Sequence, residues 1–190
     1  NLNYYTITYN CEQNIDIENM PLVYTVEDED FILNSQSPRE HYNFCWSVLG
    51  AKVESFNTST AQDVVVKGVW EPINYTITYN LDGGTANNRT TYNIETDTFS
   101  LVEPTKAGYI FTGWTGSNGN VPEKNVTIST DQLQNLSFTA NWTILVYTIT
   151  YELFGGKNSL KNPTTFTMND NVVLKNATKD SYTFAGWYLD

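Results

Sequence analysis

The sequence predicts an α+β, mostly β chain of tandem small modules, each a mixed sheet with one short helix. Three observations lead there. The stretch YTITYNLDGG puts Tyr75, Ile77, Tyr79 and Leu81 on alternate positions, with Thr76, Thr78 and Asn80 between them. That period of two is the mark of a strand with one buried face. The pentapeptide YTITY recurs, starting at residues 5, 75 and 147, so its spacings are 70 and 72 residues. Aromatic content is high, with 13 Tyr, 9 Phe and 5 Trp, and only 16% of residues are charged, which suits strand-rich modules.

The elements of the middle copy follow in order. A strand over 75–81 ends at Asp82-Gly83-Gly84, residues that tolerate positive φ and so make a turn. Strands follow over 91–95 and near 98–102, and Pro104 closes that stretch because it offers no ladder donor. The segment GYIFTGW (108–114) reads as the next strand, followed by the loop TGSNGNVPEK. In STDQLQNL, Ser129 or Thr130 can cap one or two helical turns carrying Leu133 and Leu136. The strand LSFTANW (136–142) completes the unit.

A genuine repeat matches in more than one segment, and this one does. TTYNIETDTFSL from Thr90 answers to TTFTMNDNVVL from Thr164, and more weakly to VYTVEDEDFIL at Val23–Leu33. GYIFTGW matches SYTFAGW (Ser181–Trp187) and, one residue shorter, HYNFCW (His41–Trp46). LSFTANW matches VVVKGVW (Val64–Trp70). The same order each time means a whole small domain copied in tandem. The expected modules are 1–71, 72–144 and 145–190, the third without a final strand of the LSFTANW kind. Four-residue linkers, Glu71–Asn74 and Thr143–Val146, contain Pro or β-branched residues and should restrict bending between neighbours.

These motifs carry a resemblance. YNLDGGT followed by PTKAGYIFTGW is similar to the Listeria–Bacteroides repeat, the B-repeat module of internalin-type bacterial surface proteins. The likeness covers the second copy from end to end and the third as far as it runs. It implies a β-grasp-like fold, a secreted or wall-attached setting and tandem use, with no catalytic residues. The first copy departs from the pattern: CEQNIDIENMP replaces the Asp-Gly-Gly turn, and Cys45 stands near the place of Gly113.

The composition excludes several classes. A net charge of −11 without a basic stripe repels polyanions, so no nucleic-acid partner is expected. No run of 18 uncharged apolar residues offers a membrane insertion. No basic segment followed by an apolar one opens the chain as a secretory leader would, and the abrupt end at Tyr188-Leu189-Asp190 leads us to expect an excerpt of something longer.

Trp46, Trp114 and Trp187 share one repeat position, and Trp70 and Trp142 another, so these five read as structural core with Tyr79 and Phe111. Cys11 and Cys45 both lie in the divergent copy. Either they close a disulfide, favoured by oxidising surroundings, or they are buried thiols. Two Cys and a single His make no zinc site. His41 reads as a solvated loop or strand-edge residue, and Glu27–Asp30 as a solvated turn. Gly83-Gly84 and Gly155-Gly156 are turns, since no Lys-Ser/Thr follows either pair. No catalytic, cofactor or metal residues are expected.

Two functions then compete. One is a non-catalytic extracellular spacer that projects another domain from a bacterial surface. The other is an adhesive module for a host protein, glycan or cell-wall polymer, with the loops at 11–22 and 47–63 of the divergent copy as its contact set.

Overall fold

The computed structural model describes residues 2–12 and 14–189. Asn1 and Asp190, at the ends of the expected outer modules, and Gln13, in the 11–22 loop, lie outside them. Two compact units form: Asn1–Thr76 with Thr91–Thr98 and Ser129–Asn135, and Ile77–Thr90 with Phe99–Ile128 and Leu136–Asp190.

The first unit holds β1 (Tyr5–Asn10), β2 (Val23–Tyr24), β3 (Phe31–Ile32), β4 (Tyr42–Val48), β5 (Ala51–Val53), β6 (Ser55–Phe56) and β7 (Val64–Pro72). Its main sheet has the order β2-β1-β7-β4-β5, and β3 pairs with β6 apart from it. The central pairing is parallel: Ile7 faces Val64 and Tyr9 faces Val66. A parallel pair needs a long crossover, and here everything from β2 to β6 lies between the two partners. On its other side β7 runs antiparallel to β4, with Phe44 opposite Trp70 and Trp46 opposite Gly68. The alternation read from YTITY is present, with Ile7 buried and both threonines exposed. Ile7, Tyr24, Trp46, Phe56, Val64 and Val66 form the heart of the core.

The chain continues into β8 (Tyr75–Asn80), β9 (Thr91–Tyr92), β10 (Phe99–Ser100), β11 (Tyr109–Gly116), β12 (Gly119–Glu123), β13 (Thr127–Ile128) and β14 (Leu136–Ile144). Within the first unit, Tyr75 of β8 pairs with Tyr92 of β9. Within the second, the order β12-β11-β14-β8 reproduces β5-β4-β7-β1 of the first, and β10 pairs with β13. Leu136 faces Ile77 and Phe138 faces Tyr79 in the parallel pairing. Gly113 opposes Asn141 beside a register shift in the β11–β14 ladder. Its φ of 144° and the backbone of Glu123, 2.5 Å from where a Cβ would stand, admit only glycine there. The loop expected after Trp114 is instead a hairpin arm, since β12 pairs back onto β11. Farther on, β15 (Tyr147–Thr148) pairs with β16 (Thr165–Phe166).

The expected helix is absent: the described residues contain no helix, and the fold is all β. The α+β class and the helix of a β-grasp module are therefore corrected. Between Thr130 and Gln134 the chain makes turns and bends. The buried Tyr92 hydroxyl donates to the carbonyl of Gln132 at 2.5 Å, lies 2.7 Å from that of Gln134, and accepts the Gln134 N–H at 3.2 Å. In repeat 1 the buried Tyr24 hydroxyl likewise meets the carbonyls of Thr60 and Gln62. A segment this short cannot repay helix nucleation, and the tyrosine satisfies backbone groups that a helix would have used.

Candidate functional site

The tryptophans take two kinds of place. Trp114 is fully buried and Trp46 is 4% exposed, whereas Trp70, Trp142 and Trp187 are half-buried. Phe111 is buried beside Trp114, with ring centroids 5.3 Å apart, and half-buried Tyr79 lies 5.7 Å from the same indole. Burial pushes the phenols of Tyr79 and Tyr9 up to about 12, with the Cys11 thiol adding to the effect at Tyr9.

Cys11 and Cys45 are free thiols, both half-buried, so the disulfide reading is not realised. The sheet order explains it. β7 separates β1 from β4, and two interstrand steps come to about 9.5 Å, beyond the reach of a bridge. Burial raises the Cys11 thiol, partly offset by a backbone hydrogen bond at Gly68. The acidic run is a turn that binds its own chain: Asp28 accepts the Thr25 N–H at 2.6 Å, and Asp30 accepts the Thr58 N–H at 2.9 Å.

No catalytic constellation emerges from these residues. What the structure does bring together, from positions that sequence reasoning missed, is a joint between consecutive repeats. It starts at the turn before β4. His41 has a φ of 63°, Gly108 72° and Ser181 63°, so all three repeats bend the chain alike at this point. In repeat 1 the His41 carbonyl accepts the N–H of linker residue Ile73 at 2.8 Å, and in repeat 2 the Gly108 carbonyl accepts that of Leu145 at 2.8 Å. The linkers are thereby pinned, and shorter than expected: β7 runs through Pro72 and β14 through Ile144.

The next residue is Tyr42, Tyr109 or Tyr182, each capped by a cation. Arg39 lies 3.8 Å from the centroid of Tyr42, Lys106 4.3 Å from Tyr109 and Lys179 4.4 Å from Tyr182. The first two tyrosines then reach into the following repeat. Tyr42 donates to the Glu95 carboxylate at 3.1 Å, and Tyr109 accepts from the Asn169 amide at 3.2 Å. Glu95 and Asn169 occupy matching places in NIET and TMND. Loss of solvent, then the bond to Glu95, raises the Tyr42 phenol.

A third contact differs between the joints. His41 Nδ1 lies 2.8 Å from the Tyr75 hydroxyl, so this histidine is half-buried in the joint and not the solvated residue expected. Gly108 instead lies under Met168, whose Sδ would stand 2.2 Å from any Cβ. A larger residue at 108 would displace the methionine.

Comparison with known proteins agrees with the repeat. The model of the Listeria-Bacteroides repeat domain matches residues 75–141 and 147–190, more than half of the chain. The chain belongs to the Listeria-Bacteroides repeat family. Residues 1–74 lie outside the matched stretches of this repeat, although their sheet repeats the strand order seen from β8 to β12. Internalin H of Listeria monocytogenes is 33% identical over 85 residues, covering 45% of this chain and 15% of that protein. A putative Gly-rich membrane protein of Evansella cellulosilytica is 26% identical over 142 residues, covering 71% of this chain and 16% of that protein. The chain thus spans about a sixth of the length of these relatives. No solved structure matches it significantly.

Proposed function

We propose that these Listeria-Bacteroides repeats form a non-catalytic spacer in a bacterial cell-surface protein, with contacts at each joint restraining the short linker between repeats. The observation that carries this is the recurrence of the joint. Linker amide to turn carbonyl, cation over tyrosine, and tyrosine to the next repeat's NIET or TMND turn appear in the same arrangement twice. Each contact is modest, about 0.5–1.5 kcal/mol for a hydrogen bond and about 0.5–1 kcal/mol for an exposed cation–π pair. Several acting together on a two-residue linker restrict rotation more than any one of them. A surface setting is supported by relatives named as an internalin and as a membrane protein.

The test is a distance distribution by electron–electron resonance. Spin labels go on cysteines introduced at the exposed Ser59 and Asp97, in a chain with Cys11→Ser and Cys45→Ser. One narrow distribution, broadened by Tyr42→Ala with His41→Ala, supports the spacer. A broad distribution in the parent chain overturns it. Saturable binding of the chain to mammalian cells, glycans or cell-wall polymer would replace it with adhesion.

A further inference from the structure

The two joints carry different side chains at one place. Met168 of TMND stands where NIET has Ile94. The chain has two methionines, and their surroundings differ. Met20 is 8% exposed and belongs to the core of the first unit, whereas Met168 is 51% exposed. Met168 nevertheless packs on repeat 2. Its Cγ would stand 2.7 Å and its Cβ 3.0 Å from a Cβ at Gly108, with Sδ closer still. The side chain thus lies against a glycine backbone with half of its surface open to solvent.

The residues around that contact are the ones that pin the second linker. The Gly108 carbonyl accepts the Leu145 N–H at 2.8 Å. Asn169, next to the methionine, donates to the Tyr109 hydroxyl at 3.2 Å. The turn that carries both residues is closed on itself. Asp170 accepts the Thr167 N–H at 2.7 Å and the Thr167 hydroxyl at 2.8 Å, and the Asn169 N–H donates to that hydroxyl at 3.3 Å. A shift of Met168 therefore carries Asn169 with it. An unbranched thioether fits a backbone this closely because it is adaptable and carries no group that must be hydrogen-bonded. Ile94 has no sulfur, so the corresponding place in the first joint lacks this chemistry.

We propose that Met168 is a site of reversible oxidation by peroxides, and that its sulfoxide releases the second joint while the first stays closed. The thioether sulfur attacks one peroxide oxygen, the O–O bond breaks, and sulfoxide and water are formed. Sulfur loses the two electrons that the peroxide gains. The product is polar where the thioether was apolar. Its new oxygen needs a donor, and the Leu145 N–H is already committed to the Gly108 carbonyl. The side chain then turns to water, which uncovers that carbonyl and draws Asn169 away from Tyr109. Met20 is shielded from the oxidant by the core around it. This role depends on the joint acting as the linker restraint proposed above.

The test is residue-resolved hydrogen exchange on the 190-residue chain with Cys11→Ser and Cys45→Ser, before and after graded hydrogen peroxide. Peptide mapping should find one added oxygen on Met168 while Met20 remains a thioether. The Leu145 amide should then exchange roughly five-fold faster, as loss of one ordinary hydrogen bond implies. The Ile73 amide, bonded to the His41 carbonyl, should not change. Methionine sulfoxide reductase should restore the first rate. Met168→Leu should keep Leu145 protected and remove the response to peroxide. Three results would overturn the proposal and leave the spacer standing: oxidation of Met168 with no change at Leu145, equal changes at Leu145 and Ile73, or oxygen on Met20 first. A Leu145 amide unprotected before any oxidant would overturn both.

Discussion

The indole of Trp142 covers Gly84 so closely that a Cβ on residue 84 would stand 2.5 Å from its Cζ2. The indole N–H meanwhile donates to the Leu81 carbonyl at 3.2 Å, which ties the end of β14 to the turn after β8. The Asp-Gly-Gly turn is thus set by packing as well as by backbone freedom. Gly84→Ala should lower stability by about 1–3 kcal/mol through overpacking. Urea denaturation followed by tryptophan fluorescence measures it, and an unchanged midpoint would mean that the indole moves aside freely.

Two equivalent tryptophans differ in one bond. Trp46 Nε1 donates to the Asn34 carbonyl at 2.8 Å, whereas Trp114 Nε1 is buried without a partner. Replacing either by Ala should cost about 3–5 kcal/mol. Replacement by Phe should separate them, with Trp46→Phe costing about 1 kcal/mol more because only there is a hydrogen bond lost. Thermal melts of the two Phe variants make the comparison, and equal costs would refute it.

Alkaline pH should destabilise the fold. Tyr9 and Tyr79 have folded values of about 12 against an ordinary value of about 10 in the unfolded chain. Between those limits the unfolded state has released protons that the native state keeps, so stability falls as pH rises from about 10 to about 12. Absorbance at 295 nm should show Tyr9 and Tyr79 among the late-ionising tyrosines. Tyr79→Phe should remove one late titration.

The acid limb has the opposite sign. Asp63 accepts the Thr6 N–H at 2.7 Å, and that bond holds its carboxyl below the usual range. Asp170 is lowered in the same way by Thr167. Their contributions are present above the unfolded carboxylate value and are lost as pH falls through the folded one. Asp63→Asn should flatten the fall in melting temperature below about pH 4.

Both cysteines should remain thiols under mild oxidation. Intact mass after iodoacetamide in denaturant should show two adducts on a monomer exposed beforehand to air. A mass lower by two hydrogens, with no adducts, would restore the disulfide.

The sequence by itself determined the repeat and the strand faces. Period-two alternation in YTITY leaves Ile7 and Ile77 no other place than the core, and the matched order of segments carries the family. Position alone also paired each tryptophan with its equivalents. It could not decide the helix. Ser129 and Leu133 satisfy local helix rules, but Tyr92, about 40 residues upstream, takes the backbone carbonyls those rules reserve. The joint was equally hidden, because Tyr42 and Glu95 lie 53 residues apart and each is an ordinary surface residue in its own repeat. The parallel pairing was hidden too, because it joins the first and last strands of a module, Ile7 to Val64 and Ile77 to Leu136. Local patterns record which face of a strand is buried. Which strand lies beside it is settled only when the chain closes on itself.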